Sequence, residues 1–125
     1  MIEMTDEQFE AMLSEVMQEL PKEHMAAVKN VAIVYEDDPT PAQREELKLQ
    51  CDDILFGLYE GVPLTRRNGQ IHFGPDKITI FKNPALQYAQ SYKQLRHAVK
   101  HTLWHEIAHY FGLNHVQIHK LENKK

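Results

Sequence analysis

His105, Glu106, His109, Gly112 and His115 fall within the run WHEIAHYFGLNH, Trp104 to His115, in the pattern HExxHxxGxxH. Two histidines four residues apart on a helix stand roughly 40° apart around the axis and about one turn apart along it, so both imidazoles reach one metal ion. Glu106 lies roughly 60° from His109 on the same wheel, close enough to touch a water on that metal while the nitrogens hold it. That is the place of a general base. Gly112 follows the helix where a left-handed residue turns the chain back, and His115 is then placed as a third nitrogen ligand. Three protein ligands leave the fourth tetrahedral position to water, the ligand count of a catalytic zinc rather than a structural one.

The helix that must carry these residues is expected from about Tyr92 to Phe111. Val99, Leu103, Ile107, Tyr110 and Phe111 fall opposite His105 and His109, so one face is expected in a core and the histidine face in a cleft. His97 and His101 continue the histidine ladder, but two imidazoles without a nearby carboxylate or cysteine make a poor second zinc site. His101 and His119 are the nearest candidates to stabilise an oxyanion; an ordinary surface role competes with that reading for both.

Before the helix, Thr5 and Gln8 have capping-box spacing, and Phe9, Met12, Leu13, Val16 and Leu20 trace one helical face that ends at Pro21. Val31 to Tyr35 reads as a buried strand. Thr40, Pro41 and Gln43 open a second helix, from Ala42 to about Asp52. Asp53 to Gly61, apolar and broken by two glycines, stays open between a strand and a turn of helix. Asn68-Gly69 predicts a hairpin within Pro63 to Phe73, with Arg66 and Arg67 beside it as solvated charges. Lys77 to Lys82 is expected as a strand with Ile78 and Ile80 on one face and Thr79 and Phe81 on the other. Asn83-Pro84 ends it, Pro84 to Gln90 is a helical turn, and Leu113 to Glu122 a last short helix.

The chain has 125 residues and is 42% hydrophobic, which fits one domain over 1–125 with a single core. A net charge of −4, with no basic run before Lys124-Lys125, argues against nucleic acid or an anionic membrane as partner. The start, MIEMTDEQFE, has neither the basic flank nor the apolar run of a signal or anchor, so a cytoplasmic protein is expected. The single cysteine, Cys51, agrees with a reducing compartment and reads as a small apolar residue.

With the motif, LYEGVPLT (Leu58 to Thr65), DKITIFKNP (Asp76 to Pro84) and HTLWHEIAHYFGL (His101 to Leu113) read in order, the chain resembles the small bacterial zincin-like metallopeptidases, or minimal zincins. The resemblance runs from about Leu20 to the end. It implies an α+β fold in which a small mixed β-sheet packs on a long zinc-binding helix and an edge strand aligns an extended peptide, with Lys77 to Lys82 as the candidate edge. It also implies one Zn2+ per chain held by His105, His109 and His115, with Glu106 as the base and a peptide or protein as substrate. The third position is often acidic in such proteins and is histidine here. A methionine turn of the metzincin kind is absent, since every methionine lies at or before Met25. Only ten residues follow His115, too few for the substrate-binding subdomain of larger proteases. A zinc-binding interaction module without peptidase activity, or a hydrolase acting on a non-peptide amide, is compatible with the same residues.

Overall fold

The computed structural model describes residues 2–20, 22, 31–50, 56–61 and 76–111, with the backbone alone for 47–50. Among these residues seven elements follow in order: α1 (Asp6–Glu19), β1 (Val31–Glu36), α2 (Pro41–Gln50), β2 (Gly57–Glu60), β3 (Asp76–Phe81), α3 (Lys82–Tyr88) and α4 (Tyr92–Tyr110). The three strands form one mixed sheet in the order β1-β3-β2, with β1 parallel and β2 antiparallel to β3. The architecture is α+β, with the sheet packed on the long helix α4. The hairpin, Gly112, His115, His119 and the last short helix lie outside the described residues, as do Cys51, Arg66 and Arg67.

Local chemistry sets most of the boundaries. Thr5 and Gln8 close a full capping box at α1, the threonine hydroxyl accepting from Gln8 N and the Gln8 side chain accepting from Thr5 N. Thr40 and Gln43 repeat the pattern at α2. Ser91 caps α4 by accepting from Gln94 N. The helix α3 begins at Lys82, two residues earlier than expected, and therefore takes Asn83 and Pro84 into its first turn. Proline is tolerated there because the first N–H groups of a helix have no partner within it.

The core lies between the sheet and the pair α1 and α4. Phe9, Met12 and Val16 of α1 meet Leu95, Val99, Leu103 and Ile107 of α4 over Ile78 and Ile80 of β3, and all of them are buried. The alternation of β3 places Ile78 and Ile80 in that layer and leaves Leu58, Thr79 and Phe81 outside the cluster, buried on the sheet's other face. Two further ties fasten α1. Lys82, 8% exposed, donates from Nζ to Asp6 Oδ1 at 2.6 Å, and Arg96 of α4 pairs with Glu15 and Glu19. Hydrogen bonds from Arg96 to Tyr92, Glu15 and Glu19 raise the pKa of that guanidinium.

Two expectations change here. The strand Val31 to Tyr35, read as buried, is half-buried, with Val34 on its exposed face. It lies at one end of the sheet order among the described residues, so only one of its faces meets the core. Lys77 to Lys82, the candidate edge strand, is the central strand: β3 is hydrogen-bonded on both sides. The strand bordering the metal helix is β2, from the segment that the sequence left open.

Candidate metal centre

The helix α4 is well suited to hold a rigid ligand pair. It is capped at Ser91, free of glycine and proline, and buries Leu95, Val99, Leu103, Ile107 and Tyr110. The expected core face is therefore the observed one, with Phe111 packed at its margin. On another face, the rings of His105 and His109 meet edge to face with centroids 4.7 Å apart. One nitrogen of each and a carboxylate oxygen of Glu106 all lie within 4.8 Å of one another. Two imidazoles on consecutive turns suit zinc as ligands, with the carboxylate beside them placed to act on a water rather than to bind the metal.

Glu106 is held at both oxygens. Its Oε1 accepts the main-chain N–H of Tyr59 at 2.8 Å, and its Oε2 lies 3.2 Å from His105 Nδ1. With the proton on Nδ1, His105 donates to Glu106 and keeps its lone pair on Nε2, the tautomer that ligates a metal. A carboxylate in this position fixes the ring as an outer hydrogen-bond partner does in zinc sites.

The Tyr59 N–H is available because of the pairing of β2. Phe81 N donates to Phe56 O at 2.7 Å, which makes 56 and 81 a hydrogen-bonded pair. Such pairs recur every two residues, at Leu58 with Thr79 and at Glu60 with Lys77, so Gly57 and Tyr59 turn their N–H and C=O groups away from β3. Tyr59 thus presents its amide on the outer edge of β2, facing the helix. Its ring is buried, edge-on to Tyr110 with centroids 5.9 Å apart, and its hydroxyl donates to Asp76 Oδ2 at 3.2 Å.

His105 and Glu106 are each 1% exposed, whereas His109 is half-buried and His101 exposed. His105 and Glu106 are therefore closed off, contrary to the open histidine face that was expected, while His101 and His109 keep some exposed surface. His97 is exposed, and among the described residues the only cluster with metal-ligand geometry is His105, Glu106 and His109. His115, the expected third ligand, lies outside the described residues. The group that sequence reasoning missed is the Tyr59 amide. A main-chain donor has no side-chain signature, and its direction depends on which strand pairs with β2 and in what register.

The description "zincin-like metallopeptidase" belongs to a family whose model matches residues 28–125. The match begins after α1 and takes in β1 to α4 with the whole HExxHxxGxxH run. No curated protein matches the chain. Among the described residues no helix is long and apolar enough to cross a membrane.

Proposed function

Since the chain belongs to the zincin-like metallopeptidases, we propose that it is a zinc-dependent peptidase that hydrolyses peptide bonds with Glu106 as general base. The observation that carries this reading is the convergence of His105, Glu106 and His109 within 4.8 Å on one capped, buried helix. His105 and His109 would hold one zinc ion, with His115 as the third ligand. Zinc bound there supplies a water of lowered pKa and a positive charge that polarises a scissile carbonyl. The chain's own residues do the rest. Glu106 takes a proton from the attacking water on a carboxylate oxygen and passes it to the departing amine nitrogen. His105, fixed by its Nδ1 contact, keeps the ligand ring aligned.

The substrate is read as an extended peptide. The candidate for the strand that would align it is β2, which runs beside α4 and takes an outer position in the sheet among the described residues. This moves the aligning role from Lys77 to Lys82, where the sequence put it, to Gly57–Glu60. A cytoplasmic location accords with the single Cys51. Neither nucleic acid nor a membrane is expected as a partner, in keeping with a net charge of −4.

The test is cleavage of unstructured peptides by the zinc-loaded protein and by Glu106→Gln. The expected result is EDTA-sensitive cleavage by the wild type, with none by a variant that still binds zinc. Turnover that persists in Glu106→Gln would remove the mechanism. Zinc binding without cleavage of any peptide would make the chain a zinc-binding interaction module instead.

A further inference from the structure

Tyr59 takes a position in β2 where its own backbone is not bonded to β3, since the hydrogen-bonded pairs fall at Leu58 with Thr79 and at Glu60 with Lys77. Its N–H goes instead to Glu106 Oε1 at 2.8 Å. The side chain supplies a tie to the central strand, its hydroxyl donating to Asp76 Oδ2 at 3.2 Å. Asp76 stands two residues before Ile78 in β3 and so shares the face that carries Ile78 and Ile80, where it is 2% exposed. A carboxylate buried on such a face is costly unless it is hydrogen-bonded. Room for the pair is left by Gly61, where a Cβ would lie 2.7 Å from Asp76 Cγ and 2.8 Å from the Tyr59 hydroxyl. Tyr59 also meets α4 twice, through its amide at Glu106 and through its ring at Tyr110, one helical turn further on.

We propose that Asp76 and Tyr59 are positioning residues for Glu106: the Asp76 carboxylate fixes the Tyr59 phenol, and Tyr59 so fixed holds its amide where it sets the carboxylate of the base. The inference rests on the peptidase reading and deepens it. A charge-assisted hydrogen bond at the tip of a buried ring leaves the two side-chain torsions little freedom, so Tyr59 is pinned at both its ends. The phenol bond does for this residue what a ladder bond does for its neighbours Leu58 and Glu60. Glu106 must keep a set distance from the water it deprotonates, and a misplacement of about 1 Å can cost a hundredfold in rate. The base is thus placed by three elements at once, with Asp76 in β3, Tyr59 in β2 and Glu106 in α4.

Tyr59→Phe takes away the hydroxyl and keeps the ring against Tyr110, Asp76→Leu takes away the acceptor, and Asp76→Asn keeps an oxygen that accepts. The full-length proteins are compared by NMR hydrogen exchange, without substrate, at two amides of β2: Tyr59, held by Glu106, and Leu58, held by Thr79. Exchange at Tyr59 relative to Leu58 is expected to rise about tenfold in Tyr59→Phe and in Asp76→Leu, the factor that one hydrogen bond of ordinary net strength carries. In Asp76→Asn the ratio is expected to stay near that of the wild type. A merely structural role for the pair would speed both amides alike. In the zinc-loaded proteins, kcat for an unstructured peptide is expected to fall roughly 10–100-fold in the first two variants with KM unchanged, and to be largely kept in Asp76→Asn. The double variant Tyr59→Phe/Asp76→Leu should lose no more than either single one, because both remove the same bond. It leaves no carboxylate deprived of its phenol, and so carries the same expectations should Tyr59→Phe fail to fold. A wild-type exchange ratio in Tyr59→Phe or in the double variant, or equal losses in Asp76→Asn and Asp76→Leu, overturns the proposal. An inactive wild type overturns the peptidase reading instead, since the exchange ratios are read without turnover.

Discussion

Gly57 and Thr102 stand so close across the junction of β2 and α4 that a Cβ on residue 57 would lie 2.8 Å from Thr102 Cγ2. The same atom would meet Thr79 O at 2.9 Å and Ile80 Cδ1 at 3.0 Å. No side chain fits there, and the absence of one lets the helix approach near enough for Glu106 to reach the Tyr59 amide. Gly57→Ala is expected to destabilise the protein by about 1–3 kcal/mol, as overpacking does, and to weaken protection of the Tyr59 amide. Adding Thr102→Ser, which removes Cγ2, should recover part of the loss and leave the clash with the Thr79 carbonyl. Denaturant midpoints of the single and double variants check this, and wild-type stability in Gly57→Ala would refute it.

Zinc binding is expected to depend on named histidines. His105→Ala and His109→Ala each remove a ligand and should lower zinc affinity by more than the roughly 10–100-fold typical of losing an outer hydrogen-bond partner. His101→Ala, on an exposed ring whose centroid is 6.3 Å from that of His105, should leave zinc content unchanged. His115→Ala asks whether the third ligand is the one expected. Metal content by mass spectrometry reads all four, and a full complement of zinc in His109→Ala would dismiss the helical pair.

The helix α1 precedes the family match at residues 28–125 and yet supplies part of the core. Phe9 has no exposed surface and its ring lies tilted against that of Tyr35, with ring centroids 5.3 Å apart. Phe9→Ala should cost about 3–5 kcal/mol, the range for emptying a buried aromatic site. Thermal or denaturant unfolding measures it, and a loss no larger than that of an exposed position would mean that α1 is an accessory.

Lys82 and Asp6 should respond unequally to mutation. Lys82 is nearly buried while Asp6 is mostly exposed, with side-chain exposures of 10% and 67%. Asp6→Ala strands a buried ammonium without its carboxylate and should cost about 1–3 kcal/mol. Lys82→Met keeps the apolar stem in place, exposes an acidic group already in water, and should come close to neutral. Equal losses in the two variants would contradict the asymmetry.

Gln43 and Gln8 complete similar capping boxes, but Gln43 also donates from Nε2 to Glu60 Oε1 at 3.1 Å, tying the start of α2 to the end of β2. Gln43 is 7% exposed and Gln8 lies on the surface. Gln43→Ala is expected to lose about 1–2 kcal/mol and Gln8→Ala less, a difference that paired unfolding curves resolve.

By itself the sequence determined what depends on neighbours along the chain. Helical geometry places His105, Glu106 and His109 together whatever surrounds them, and Thr5 with Gln8 or Thr40 with Gln43 closes a cap within a single turn. Alternation in β3 likewise separated Ile78 and Ile80 from Thr79 and Phe81. Tertiary structure decided what depends on partners distant in sequence. A period of two tells which face a residue takes but not which strand lies beside it, so Lys77 to Lys82 read as an edge and became the centre of the sheet. Gly57–Glu60, too short and too apolar to assign locally, became the strand against the metal helix. The start of α3 at Lys82 escaped sequence reading because Phe81 gives no side-chain cap and its anchors are distant in sequence: Asp6 holds Lys82 from 76 residues away, and Asp38 accepts from Asn83 from 45 residues away. The hold on Glu106 was invisible for the same reason: its donor is a main-chain N–H 47 residues distant, aimed by strand pairing rather than by any side chain.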